Sequence, residues 1–434
     1  MRPQLTKNEG RLIAASVFMC MAVDTAYFVG FVGYAAYGLN GNASLIAFTM
    51  AVLSVFFMFG NLLGGIIVDR IGPRRTAIYS NIALIVLCIA AQFIGTNFTL
   101  FILLGSLFGL VGATQQCAFA SFAPYLFRDR EGIRRINSYK TTAGFLSTIV
   151  GSLLGAFIVS VFAKLHLFLF VAALALVSTA IVYFVYERYS PHEDDDDGTE
   201  LAELTETAQT AETAKLTNLA STAPRKKPHP IRDALQGWHL IRGSASLRFY
   251  LFIAIAMWFS FGAFDALESI YYRDILHMPM AWVGWVNAII GAGCALGAFA
   301  LSRIPRKYIR AFLLVALLAF EGASTILYIA TKEVLWSAIG AFILGIAYGI
   351  VDPLLRTLIQ ADSPLKAAGR VLGTVDMVRK GFTLIPLAIA PTLAGRFGVQ
   401  PVLVGASVLT ILLAAALYPT SRRLDTATTA GNPT

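Results

Sequence analysis

Twelve long apolar stretches alternate with short polar loops along this 434-residue chain. They run over 12–38, 43–68, 76–95, 100–127, 137–162, 166–187, 248–273, 279–302, 310–330, 334–358, 371–395 and 398–418. Most exceed the ~20 residues that carry a helix across a hydrocarbon layer. Lipid offers no partner to a free backbone N–H or C=O, so each stretch must be helical. The expected fold is an all-α membrane protein with twelve transmembrane helices. Charged residues are 14% of the chain and hydrophobic ones 57%, against roughly 25% and 45–50% in soluble domains. That leaves little room for a soluble domain. The apolar run behind Arg2, Lys7 and Arg11 is about 27 residues long. The apolar core of a cleaved signal is only about 7–15 residues, so a retained first helix is expected.

The net charge of +9 follows topology. Arg70, Arg74 and Arg75 share one set of loops with Arg128, Arg130, Arg134, Arg135, Arg225, Lys226, Lys227, Arg303, Arg306, Lys307, Arg310, Arg422 and Arg423. The opposite set holds Lys164, Arg273, Lys332 and Arg396. Positive loops stay inside, so both termini are expected in the cytoplasm and the chain in the plasma membrane. This alternation is no nucleic-acid stripe. Cys20, Cys88, Cys117 and Cys294 all lie in apolar stretches without metal or redox spacing, and such thiols pack. None of His166, His192, His229, His239 and His277 is mid-span. No cofactor and no metal are expected.

Residues 188–247 separate two halves, 1–187 and 248–434. The acidic run at 192–197 and the Thr/Ala/Glu-rich stretch behind it bury too little apolar area to fold. They read as a solvated spacer, and the acids lack the alternation and glycine of an EF-hand loop. Ile231 to Arg242 has helical apolar spacing and is expected along the inner membrane surface. The halves repeat weakly. Val68-Asp69-Arg70-Ile71-Gly72-Pro73-Arg74-Arg75 parallels Leu301-Ser302-Arg303-Ile304-Pro305-Arg306-Lys307, and Ala123-Pro124 parallels Asp352-Pro353. Internal symmetry of this kind marks transporters with a site at the repeat interface.

The loop Gly65-Ile66-Ile67-Val68-Asp69-Arg70-Ile71-Gly72-Pro73-Arg74-Arg75, between the second and third apolar stretches, resembles the signature of the major facilitator superfamily. With the twelve spans and the central linker, the resemblance covers nearly the whole chain. Residues 231–250 and the stretch from Leu358-Ile359-Gln360 to Gly369-Arg370-Val371 are similar to the macrolide-efflux and enterobactin-exporter branch. The resemblance implies a secondary active transporter: a proton-coupled exporter of amphiphilic drug-like or secondary-metabolite molecules, working by alternating access. It also implies that Asp69 faces the start of span 11, around Arg370 to Thr374, at an inner gate. There Gly65 allows close packing, Gly72 permits the turn, and Arg70, Arg74 and Arg75 anchor the loop or simply set topology. Two departures are visible. The antiporter motif of helix 5 is reduced to Gly151-Ser152-Leu153-Leu154-Gly155-Ala156, and span 4 has no arginine before Arg128. An uptake symporter of a small solute therefore stays open. A non-translocating sensor would not need intramembrane acids, and no nucleophile–base set points to an enzyme.

Charges inside a span cost several kcal/mol and usually face a cavity or a partner. Asp24 is near the middle of span 1, with Tyr27, Phe31 and Tyr34 following. In span 7, Trp258, Phe261, Asp265, Glu268 and Tyr272 share one helical face. Asp24, Asp265 and Glu268 are the candidate proton-coupling acids, because low dielectric favours a protonated carboxyl. The aromatics, with Gln115 and Gln116 of span 4, are candidate cavity residues for an amphiphilic or cationic ligand; packing is the plain alternative for them. Asp352, Arg356, Asp376, Arg379 and Lys380 are expected at the inner gate, Lys140 near the inner face, and Glu321 in a structural role. The expected partners are a small-molecule substrate, protons and the bilayer; a monomer is expected. Asn42-Ala43-Ser44 and Asn97-Phe98-Thr99 are glycosylation-like triplets on outer loops. The charge bias is checked by placing single cysteines between 188 and 247 in a cysteine-free background. They should resist an impermeant thiol reagent in intact cells; strong labelling from outside would reverse the orientation.

Overall fold

A computed structural model of the chain describes residues 6–127, 130–162, 164–186, 230–301, 303–305, 308, 310–363 and 368–430. The acidic run at 192–197 and the basic residues at 128, 225–227, 306 and 307 lie outside them. The first half comprises α1 (Lys7–Tyr37), α2 (Ala43–Ile71), α3 (Pro73–Phe93), α4 (Phe98–Leu126), α5 (Arg130–Val161) and α6 (His166–Tyr183). A short helix, α7 (Pro230–Gly243), follows. The second half comprises α8 (Ala245–Ile275), α9 (Ala281–Leu301), α10 (Ala311–Ile329), α11 (Val334–Asp362), α12 (Ala368–Phe397) and α13 (Val399–Ala430). Ten of these helices are long and apolar enough to cross a membrane. The other two, α5 and α12, carry charges in the turns nearest the face that bears both chain ends. The molecule is an all-α, multi-pass membrane protein.

Most helices keep to the apolar stretches and differ at their ends. α1 starts five residues earlier than expected, because Thr6 caps it by accepting from the Glu9 N–H. α13 runs past residue 418 for a physical reason. Asp425 accepts from the backbone N–H groups of Ala311 and Phe312, at 3.0 Å each. A carboxylate there satisfies free amides at the start of α10 and meets the positive end of its dipole. α7 is docked rather than free: Ile241 is buried in the core of the second half with Leu247. Asn42 and Asn97 serve as helix caps, accepting from Leu45 and Leu100 N–H groups at 2.9 and 3.1 Å. That is the structural use of the two glycosylation-like triplets.

The halves repeat one packing device. In the first, Gly60-x-x-x-Gly64 of α2 lies against α4; in the second, Gly293-x-x-x-Gly297 of α9 lies against Gly345-x-x-x-Gly349 of α11. A Cβ on Gly60 would fall 2.3 Å from the Leu110 carbonyl oxygen, and one on Gly349 2.1 Å from that of Cys294. Lipid provides no hydrophobic drive between helices, so close backbone contact and van der Waals packing must hold them. The first helix of each half also loosens in the same way. α1 is π-helical over Thr25–Val32, and α8 over Tyr271–Ile275.

The two halves meet along α5 with α9 and along α2 with α12. Gly284 of α9 abuts Ser152 and Ala156 of α5, and Gly291 abuts Ile149. The reduced motif of α5 thus lies at the junction of the halves. Across the face opposite the chain ends, Arg273 donates to the carbonyls of Ala36 and Gly41 at 2.6 and 2.9 Å.

Gly349→Ala should lower the thermal midpoint of the purified protein, as an overpacking change worth about 1–3 kcal/mol. Gly405→Ala on α13, where a Cβ meets nothing within 4 Å, is the control and should leave it unchanged. Equal midpoints for the two variants would remove the close contact from the account.

Candidate functional site

A cavity of about 370 Å³ opens between the halves. α1 contributes Val23, Asp24, Tyr27 and Phe28; α2 contributes Leu53, Ser54, Phe57 and Met58; α4 contributes Phe108, Gly109, Gly112 and Gln116. From the second half come Trp258, Phe261 and Asp265 of α8 and Lys380, Thr383, Leu384 and Leu387 of α12. The volume and the mostly apolar wall with a few polar groups fit a small-molecule site.

Asp24 closes the α-helical part of α1, immediately before its π-helical stretch. Its Oδ2 accepts from the Thr148 hydroxyl of α5 at 2.6 Å. Tyr27 shares the cavity wall with Ser54 and Asp265. The ring of Trp258 faces the Arg379 guanidinium at 4.7 Å and that of Phe261 at 5.0 Å. Among the described residues, neither Asp24 nor Asp265 has a cation within ion-pair distance.

Six of the expected residues meet here: Asp24, Tyr27, Gln116, Trp258, Phe261 and Asp265. The others lie outside the lining. Phe31 is 2% exposed and packed among the rings of Phe101, Phe108 and Phe168. Tyr34 donates to the Gly95 carbonyl at 2.7 Å. The π-helical turns explain both. Each adds a residue to the turn, so positions beyond Tyr27 rotate off the face that a regular helix would present. Gln115 is fully buried and donates to Asn81, which donates to Ser178, which donates to the Ala15 carbonyl. That chain ties α4, α3, α6 and α1 together. Glu268 and Tyr272 point into the second half, where the Tyr328 hydroxyl donates to Glu268 at 2.5 Å and meets the Tyr272 hydroxyl.

The ion cluster forms as a network. Asp352 accepts from Arg356 Nε at 2.9 Å and from Arg379 Nη1 at 2.8 Å. Asp376 pairs with Arg356 at 3.3 Å, and with Arg379 Nε at 2.9 Å without hydrogen-bond alignment. All four residues are on α11 and α12, so the described contacts brace one half and do not join the two. Lys380, expected with them, instead lines the cavity, its ammonium 5.0 Å from the Phe57 ring. Lys140 donates to the Phe119 carbonyl. Glu321 is 1% exposed, and its Oε2 has no hydrogen-bond partner among the described residues.

The loop motif differs from its expectation at Gly65. Gly65 makes no close packing: a Cβ there meets nothing within 4 Å, whereas one on Gly64 would fall 2.9 Å from the Thr114 Cα. The face that touches α4 is set by Gly60 and Gly64, one helical turn apart. Asp69 is exposed and makes no ion pair with another described residue. Gly72 turns the chain with φ of 83°, and Pro73 starts α3. Arg74 donates to the Tyr183 carbonyl of α6 at 2.5 Å, while Arg70 and Arg75 are exposed.

Sequence reasoning missed Thr148, Ser54, Phe57 and Arg273. Arg273 was legible only as a lone cation in the sparse set of loops. Four of the six Gly-x-x-x-Gly repeats, those at 60–64, 105–109, 293–297 and 345–349, were a readable signal for the helix pairs.

Among curated relatives, the chain is 21% identical over 203 residues to the "Uncharacterized MFS-type transporter YfmI" of Bacillus subtilis (strain 168), a match spanning 46% of this chain and 49% of that one. It is 24% identical over 184 residues to "Uncharacterized MFS-type transporter YfiS" of the same organism, spanning 42% and 44%. The chain thus spans about half the length of these relatives. Among solved structures, a POT family transporter in complex with a thioalcohol conjugated peptide superposes with a TM-score of 0.70 at 14% identity, covering 96% of both chains. A mutant of the nucleoside transporter NupG superposes with a TM-score of 0.67 at 13% identity, covering 95% of this chain and 99% of that one. At such identities these two show a shared fold. The Major Facilitator Superfamily model matches residues 13–381, and with that span of agreement the chain belongs to the major facilitator superfamily.

Proposed function

We propose that this protein is a secondary active transporter that exports amphiphilic organic molecules bearing an amine, in exchange for protons, by alternating access. It works in the plasma membrane with both termini on the cytoplasmic side, and it stands in the macrolide-efflux and enterobactin-exporter branch of its superfamily. The observation that carries the reading is the presence of Asp24 and Asp265 in one apolar cavity between the halves, without a cation partner among the described residues. An uncompensated charge in such surroundings is costly, so each carboxyl is satisfied by a proton or by a cation. An ammonium arriving in the cavity favours the ionised form of a nearby acid. Its binding therefore releases a proton, and by linkage a proton weakens its binding. That antagonism makes an exchanger. An inward proton gradient then drives the amine out with about 1.4 kcal/mol per pH unit; one ammonium exchanged for one proton moves no net charge, so the membrane potential neither drives nor opposes the exchange.

The rest of the site supports alternating access. α5 meets α9 over small residues, a contact that lets one helix slide on the other, and Arg273 clasps the far face. The Asp352–Arg356–Asp376–Arg379 network reaches the cavity wall through the Arg379–Trp258 stack. Occupancy of the cavity thereby bears on the helix ends where an inner gate would close.

In proteoliposomes with an imposed pH gradient and a panel of aromatic amines, amine flux should run opposite to proton flux. Movement in the same direction as protons would instead make the protein an uptake symporter. Asp24→Asn should lower gradient-driven flux roughly tenfold or more, about 1.4 kcal/mol, and leave energy-independent exchange partly intact. Unchanged substrate-induced proton release in that variant would remove Asp24 from coupling.

Arg273→Ala should free the far face. Hydrogen bonds from a charged donor are worth about 1.5–3 kcal/mol. A cysteine at Phe28, in a cysteine-free background, should then react roughly tenfold faster with an impermeant reagent applied from outside. An unchanged rate would show that other contacts close that face.

A further inference from the structure

The cavity carries charges of both signs that do not neutralise each other. Asp352 and Asp376 are matched by Arg356 and Arg379, so that network closes on itself. Lys380 is left over. It has no acid within ion-pair distance among the described residues, and its ammonium faces the cavity across the Phe57 ring. Asp265 is the matching surplus of negative charge on α8, with Tyr27 in the same cavity wall.

The two surplus charges lie at different depths. α8 and α12 run in the same direction and are in register near Trp258 and Thr383. The Thr383 hydroxyl donates to the Trp258 carbonyl at 3.4 Å, and a Cβ on Gly262 would fall 2.3 Å from the Thr383 carbonyl oxygen. Asp265 is three residues beyond Gly262, and Lys380 three residues before Thr383. At 1.5 Å per helical residue the two are on the order of 10 Å apart along the helix axes. Rings of Tyr27, Phe57, Trp258 and Phe261 line the interval.

We propose that the ligand of this cavity is a zwitterion: a flat aromatic molecule with a protonated amine at Asp265 and a carboxylate at Lys380, its body spanning two helix levels about 10 Å apart. The proposal rests on the reading of the cavity as the transport site and narrows its substrate class. A simple cation would bury Lys380 without a partner, and a simple anion would leave Asp265 to be met by a proton alone, forgoing its ion pair; leaving a buried charge unmatched is what a low-dielectric site tolerates least. The zwitterion satisfies both and leaves Asp24, with its Thr148 hydrogen bond, for the proton.

The test uses 4′-(aminomethyl)biphenyl-4-carboxylic acid, its methyl ester and its N-acetyl derivative: one body as zwitterion, cation and anion. Binding to the purified full-length protein is measured by calorimetry. The zwitterion should bind at least about tenfold tighter than either derivative. Lys380→Met should remove that advantage over the ester, and ester binding should become no weaker, because the unmatched ammonium is gone. Lys380→Arg should keep it. Asp265→Asn should weaken the zwitterion and the ester but spare the N-acetyl compound. The ligand-free thermal midpoint of each variant separates loss of binding from loss of fold. Equal binding of zwitterion and ester, unaffected by Lys380→Met, would overturn the zwitterion while the amine exporter stands. Binding of none of the three would overturn the charge spacing, whereas failure of amine–proton exchange in proteoliposomes is what would overturn the transporter reading.

Discussion

Hydrocarbon gives a polar group nothing to bond, and the arrangement of this molecule follows from that single restriction. Backbone groups are satisfied inside helices. Side-chain polar groups gather where protein, not lipid, surrounds them. The Gln115–Asn81–Ser178 chain binds four helices of the first half, and the Glu268–Tyr328–Tyr272 cluster ties α8 to α10 in the second. Asp24, Asp265 and Lys380, which make no ion pair among the described residues, lie together in the cavity between the halves.

The same restriction shapes the contacts between helices. Because lipid tails are as apolar as leucine, association depends on how closely backbones approach. Paired Gly-x-x-x-Gly segments bring α2 to α4 and α9 to α11, at the same place in each half. Rigid pairs of this kind are suited to move as blocks. The junction between halves is different. It combines small residues of α5 and α9 with a clasp of two hydrogen bonds from Arg273.

Irregular helix geometry decides which side chains line the cavity. Asp24, Tyr27, Phe31 and Tyr34 read as one stripe at regular helical spacing. The π-helical stretch over Thr25–Val32 divides them, sending Asp24 and Tyr27 to the cavity and Phe31 into a cluster of rings. α8 repeats the device at Tyr271–Ile275, beyond Asp265.

The sequence by itself determined the membrane fold, the two halves, the family and the acids Asp24 and Asp265 in the cavity wall. These follow from hydropathy, from one loop motif and from the cost of charge in lipid, all of which are local to the chain. Tertiary structure decided the rest. Lys380 and Arg379 are adjacent in sequence and in one charged cluster, yet one faces the cavity and the other an ion network, because consecutive residues on a helix point about 100° apart. Thr148 reaches Asp24 across 124 positions, and Arg273 reaches Ala36 across 237. No periodicity within a helix encodes such pairs; they exist only once the bundle has set each helix's rotation and depth.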